Sequence, residues 1–216
     1  MKQEVASFLD YVAHSPTVFQ ATQQACDMLD AAGFTRLSEH EAWEILPGGR
    51  YYVTRNRSAL VAFAVPENGF THCQIVASHG DSPTFKLKAH AEGEAAGAYI
   101  RLDVEPYGGM IMSTWFDRPL SIAGRALVRE DGRLVTRLID LDRDAALIPN
   151  MPIHFNRDIN SGYSYNPQTD MLPLFGGKDA KGALAAEIAA KAGAKEEDVV
   201  ACDLFLYNRT PASVWG

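Results

Sequence analysis

The sequence predicts an α/β segment followed by a mostly β segment with one helix. Three observations carry that expectation. Apolar residues recur at helical spacing up to Gly33 and then give way to short runs rich in Tyr, Val and Phe. From Tyr99 onwards apolar and polar residues alternate instead. An Asp131-Gly132 pair between two apolar runs is the strongest hairpin signal in the chain.

The elements follow in order. Phe8, Leu9 and Val12 mark one face of a first helix. Ser15-Pro16 reads as an N-cap with proline at the first helical position. Val18, Phe19, Ala25, Met28, Leu29 and Ala32 continue a second helix, which Gly33 stops. Strands are expected at 51–55, 58–65 and 74–78. The run Ile75-Val76-Ala77 lacks alternation, as in a strand covered on both faces. Small residues from Gly93 to Gly97 suggest a junction, so the first α/β domain is expected over 1–92. A mostly β domain is expected over 93–203, with a return towards the first domain over 204–216. Within it, 99–104 and 122–128 alternate, 142–177 is rich in Pro, Asn, Gly and Asp and reads as irregular, 180–192 is helical up to Gly193, and 199–207 is a last strand.

Length and composition bound the function. The 216 residues suffice for one large domain or two small ones, and 47% hydrophobic with 22% charged residues is ordinary for a globular protein. A formal charge of −7 without a dense basic run argues against nucleic acid or an anionic membrane as partner. Cys26, Cys73 and Cys202 lie far apart and form no Cys-x-x-Cys pair, so neither a disulfide framework nor a thiolate zinc site is indicated. The first ten residues lack an apolar stretch of the signal-peptide kind, and the apolar run 59–65 is too short to span a bilayer. A reducing cytoplasm is the expected location.

One segment carries chemistry: Ala77-Ser78-His79-Gly80-Asp81-Ser82-Pro83, expected just past the carboxyl end of a buried strand, where α/β sheets place ligands. An imidazole can ligate a metal while a nearby carboxylate orients the ring and raises its basicity. Pro83 biases Ser82 towards an extended conformation. By itself His-x-Asp is more often a loop hydrogen bond than a metal site. His14, His40 and His72 lie near element ends and suit solvated or capping roles, and His90 reads as exposed on a Lys-rich strand. No nucleophile elbow, phosphate loop or dinucleotide fingerprint is present. Trp115-Phe116-Asp117-Arg118 reads equally as a binding face or as buried aromatics beside a local ion pair.

Several stretches, in order, resemble the M18 family of metallo-aminopeptidases, the aspartyl aminopeptidase family. They include Phe8-Leu9-Asp10-Tyr11, Tyr51-Tyr52-Val53-Thr54-Arg55-Asn56, Ser78-His79-Gly80-Asp81-Ser82-Pro83 and Val104-Glu105-Pro106-Tyr107-Gly108-Gly109. Ser113-Thr114-Trp115-Phe116-Asp117-Arg118 and Ile153-His154-Phe155-Asn156-Arg157 complete the pattern. The resemblance implies part of an α/β aminopeptidase catalytic domain followed by an inserted, mostly β dimerisation domain. It implies that His79 ligates one ion of a two-metal zinc centre, that Asp81 supports it, and that His154 reaches a partner subunit's active site. Peptides with a free N-terminus, often acidic in the first residue, are the implied substrates, and a homo-oligomer built through the β domain is the implied assembly.

The pattern covers only about the first half of such enzymes. The bridging aspartate, the glutamate base and the other ligands are expected beyond Gly216. Two-metal hydrolysis needs both ions and a base, and zinc sites need three or four protein ligands. Two readings follow: an aminopeptidase half whose own chain is inactive, or a non-catalytic oligomerisation or assembly fragment.

Overall fold

A computed structural model describes residues 2–215. They form two compact units that divide between Ser82 and Pro83. Met1 and Gly216, at the ends of the expected first and last segments, lie outside the described residues.

The first unit comprises helices α1 (Gln3–Ala13) and α2 (Val18–Ala31) and strands β1 (Thr35–Leu37), β2 (Arg50–Arg55) and β3 (Ala59–Ala64). The strands form one sheet in the order β1-β2-β3, with β1 parallel and β3 antiparallel to β2. The cap of α2 is Thr17 rather than Ser15. Its backbone is extended and its hydroxyl accepts a hydrogen bond from Phe19 N at 3.3 Å. Pro16 therefore precedes the cap instead of opening the helix, and one of the orphan N–H groups of the first turn is satisfied. α2 buries Phe19 and Cys26, and Tyr52 of β2 donates its hydroxyl to Asp30 at 2.7 Å. Burial, and after it that hydrogen bond, pushes the Tyr52 phenol up to about 12.

The expected strand over 74–78 is absent. The segment is irregular, and Ile75 and Val76 are 81% and 91% exposed rather than covered on both faces. An apolar run becomes a strand only where a neighbour completes its backbone ladder. Among the described residues none does.

The second unit is a six-stranded antiparallel sheet in the order β7-β6-β9-β4-β5-β8. Its elements are β4 (Thr84–Ala95), β5 (Tyr99–Tyr107), β6 (Leu120–Glu130), β7 (Arg133–Asp140), β8 (Leu174–Gly177), α3 (Ala183–Ala192) and β9 (Val199–Asn208). Asp131 and Gly132, both at positive φ, form the two-residue turn between β6 and β7, the geometry that matches strand twist. The small residues at 93–97 end β4 and turn it into β5, with Ala96 and Gly97 at positive φ. The expected boundary at 92/93 thus falls inside a strand, and that at 203/204 falls inside β9.

The core of this unit gathers Phe85, Leu102, Leu120, Ile122, Ile139, Ile148 and Leu206 with Leu184 and Ile188 of α3. Gly124 is required where β6 meets β9, because a Cβ there would run into the Asp203 carbonyl. The α3 N-terminus is capped from a distance: Glu92 of β4 accepts from Gly182 N at 2.6 Å and Leu184 N at 2.9 Å. Trp115 and Phe116 pack on the core, the first edge-on to Phe85 and the second against Tyr165. The Asp117 carboxylate is not held by a neighbouring arginine but accepts from Asn150 N at 2.9 Å.

Candidate functional site

His79 and Asp81 belong to the first unit, on the irregular segment after β3 rather than at a strand's end. The segment rests on the rest of the unit at Gly80, where an added Cβ would make ordinary contact with the Ser58 carbonyl and Val18. The sequence places the two side chains on the same side of an extended chain, since residues i and i+2 share a face. The structure brings them together. Asp81 Oδ1 lies 2.6 Å from His79 Nδ1, and the Asp81 carbonyl lies 3.1 Å from the same nitrogen.

The burial of the pair is asymmetric: the imidazole is 85% exposed and the carboxylate 21%. The carboxylate is thus the anchored member and the ring the presented one. With two oxygens facing Nδ1, the favoured tautomer carries its proton there, and Nε2 is left with a lone pair to donate. This is the arrangement in which a carboxylate orients and strengthens a ligating histidine.

The donor set stops there. Among the described residues no group of three His, Cys, Asp or Glu side chains could hold a metal ion. One imidazole and a carboxylate turned towards it do not satisfy zinc's demand for three or four protein ligands. The residues present fit one corner of a zinc site and do not complete it.

His154 lies in the second unit, in the irregular stretch between β7 and β8. The chain makes a tight turn there, with Phe155 N and Asn156 N both donating to the Pro152 carbonyl at 2.9 and 3.2 Å. The turn exposes His154 between Ile153 and Phe155, which are exposed as well. Further along the same irregular stretch, Asp170 organises the loop by accepting from Tyr163 Oη and Asn166 N, both at 2.9 Å. Burial alone would raise that carboxyl, yet these hydrogen bonds outweigh it and hold it below the usual range. Sequence reasoning passed over Asp170; its signal was the Asn166-Pro167 turn that places a backbone N–H within reach of a carboxylate. His14, as expected, caps its helix, with Nδ1 at 2.8 Å from the Asp10 carbonyl.

A family model described as aminopeptidase I zinc metalloprotease (M18) matches residues 11–216. The chain belongs to the M18 peptidase family. The probable M18 family aminopeptidase 2 of Clostridium acetobutylicum is 40% identical over 230 residues, covering 100% of this chain and 52% of its own length. Among solved structures, a chain of the cryo-EM structure of the Ape4 and Nbr1 complex superposes with a TM-score of 0.91 at 34% identity, over 98% of this chain and 45% of that one. The S. cerevisiae mApe1 dodecamer superposes with a TM-score of 0.80 at 25% identity, over 99% of this chain and 50% of that one. The chain therefore spans about half the length of the relatives it matches. The mixed α/β architecture is that of M18 aminopeptidase structures. No described helix is long and apolar enough to cross a membrane.

Proposed function

We propose that the chain is the first half of a zinc-dependent aminopeptidase subunit. His79 ligates one of two divalent ions through Nε2, and Asp81 orients it. The remaining ligands and the general base come from the part of the relatives' length that this chain does not span. His154 acts in a partner subunit's active site, as a contact to substrate or transition state, and the second unit serves as the inserted β domain through which copies associate. The substrates are peptides with a free N-terminus, often with an acidic first residue, and the location is the cytoplasm. The observation that carries this reading is the 2.6 Å approach of Asp81 Oδ1 to His79 Nδ1, with the ring otherwise exposed. The exposed apolar run at Ile75 and Val76 supports it, as apolar surface left for the rest of such a domain to cover.

A second reading, a non-catalytic oligomerisation or assembly fragment, is favoured by the lack of a three-donor cluster among the described residues. Metal stoichiometry and turnover of an aminoacyl substrate separate the two, measured on the chain alone and on a version extended to the relatives' length. The expected result is no turnover by the chain alone and zinc-dependent turnover by the extended protein. His79→Ala lowers metal content and rate together. His154→Ala lowers the rate by about 10²–10³-fold with metal content intact. Chelator-sensitive turnover by the chain alone overturns the half-site reading. An extended protein that assembles but neither binds zinc nor turns over leaves the second.

A further inference from the structure

His154 sits on a turn that no buried side chain anchors. Ile148 is the last buried residue before it, and every residue from Pro149 to Phe155 is exposed, Phe155 at 81%. Packing therefore does not fix the direction in which this stretch leaves the sheet, and its path depends on hydrogen bonds.

Those hydrogen bonds begin at Asp117. Its N–H donates to the Ile148 carbonyl at 2.9 Å, and its carboxylate accepts from Asn150 N at 2.9 Å, so one residue grips the chain on both sides of Pro149. Asn150 Oδ1 accepts in turn from Met151 N at 3.0 Å. The Pro152 carbonyl then accepts from Phe155 N and Asn156 N, which closes the turn around His154. Asp117 is itself held from behind. Phe116 bridges to Ile148 and packs its ring on Tyr165 at 5.0 Å, and Trp115 stands edge-on to Phe85 at 5.2 Å. To face the loop with both groups, Asp117 takes a φ of 55°. Few non-glycine residues adopt this left-handed conformation, and aspartate is among those that tolerate it best. A residue kept in such a conformation, with N–H and carboxylate both serving one exposed loop, points to a loop whose position matters.

We propose that Asp117 is the positioning residue for His154: it sets where the turn leaves the second unit, and so where the imidazole is presented to the partner subunit's active site. The role rests on the reading of His154 proposed above. Asp117 touches no substrate and acts through the main chain from Ile148 to Pro152. The carboxylate is needed as well as the backbone conformation, because a glycine reaches the same φ without offering an acceptor. An asparagine keeps both, since its Oδ1 accepts and it tolerates the left-handed region. Every residue in this chain of contacts belongs to the second unit.

Two measurements test it. In the isotope-labelled chain, backbone amide relaxation should give order parameters of about 0.85 over 150–157, falling below about 0.6 in Asp117→Gly. They should stay high in Asp117→Asn, with β6 and β9 unchanged in both variants. In a protein extended to the relatives' length, Asp117→Gly should lower kcat by about 10²-fold with zinc content intact. It should divide its effect between kcat and KM as His154→Ala does. Asp117→Asn should restore most of the rate, and Asp117→Gly should add nothing in a His154→Ala background. Unchanged order in Asp117→Gly overturns the proposal, and so does an additive loss in the double variant or a failure of Asp117→Asn to restore the rate. A parental rate in Asp117→Gly beside a slow His154→Ala overturns this proposal alone. A parental rate in His154→Ala removes the reading of His154 and the proposal with it.

Discussion

At the scale of the residue, the Asp81–His79 contact does two things that a histidine alone does not. It selects the tautomer that leaves Nε2 free, and it limits the rotation of a ring that is otherwise 85% exposed. Replacing the carboxylate with an amide keeps the shape but removes the charge that favours a protonated Nδ1. In a protein extended to the relatives' length, Asp81→Asn should therefore weaken zinc binding by about 10–100-fold. His79→Ala should remove the proposed ligand outright. Competition against a chelator of known affinity measures the difference, and unchanged affinity in Asp81→Asn would assign the carboxylate a purely structural role. Gly124 shows the opposite kind of residue: it touches no site, yet the β6–β9 ladder closes only because no Cβ stands between it and the Asp203 carbonyl.

At the scale of the element, α3 shows how a helix can depend on a distant strand. Its N-cap residue is Gly182, in the left-handed region and with no side chain to offer. Its first-turn N–H groups are satisfied by Glu92, ninety or so positions earlier on β4. Removing that carboxylate leaves two donors at a helix start facing the sheet. Glu92→Ala should cost the second unit about 1–2 kcal/mol in urea unfolding, and Glu92→Gln less because an acceptor remains. Equal stability of Glu92→Ala and the parent would mean that water replaces the cap at no cost. The same helix ends as its sequence predicts, at Gly193 in the left-handed region.

At the scale of the whole molecule, charge placement stitches the sheet of the second unit. Asp203 of β9 accepts from Arg125 of β6 at 2.8 and 3.0 Å and pairs with Lys86 of β4 at 3.1 Å. Burial works to raise this carboxyl, but the hydrogen bonds from Arg125 and Lys86 prevail and hold it below its ordinary value. A group with a lowered folded value stabilises the fold fully above its unfolded value, about 3.9. That stabilisation is lost as pH falls through this range towards the folded value. The parent chain should thus lose urea resistance between pH 6 and pH 3 more steeply than Asp203→Asn, which cannot titrate there. Parallel curves for the two proteins would remove Asp203 from the acid response.

The residues by themselves determined much of this. Helical spacing, the Asp131-Gly132 turn and alternation placed α1, α2, β2, β3 and the β6–β7 hairpin, because each is decided within a few neighbouring residues. The His79–Asp81 pair was legible for the same reason, its two members being two positions apart on one chain face. What lay beyond local chemistry needed the tertiary structure. Ile75-Val76-Ala77 has the composition of a buried strand, but a strand exists only when a second backbone completes its hydrogen bonds, and composition does not reveal that partner. The small residues from Gly93 to Gly97 are compatible with a linker or a hairpin, and only the register of β4 against β5 makes them a turn. The capping of α3 by Glu92 and the stitching of β6, β9 and β4 through Asp203 join residues far apart in sequence. They arise from the order in which six strands lie side by side, which no short stretch of sequence encodes.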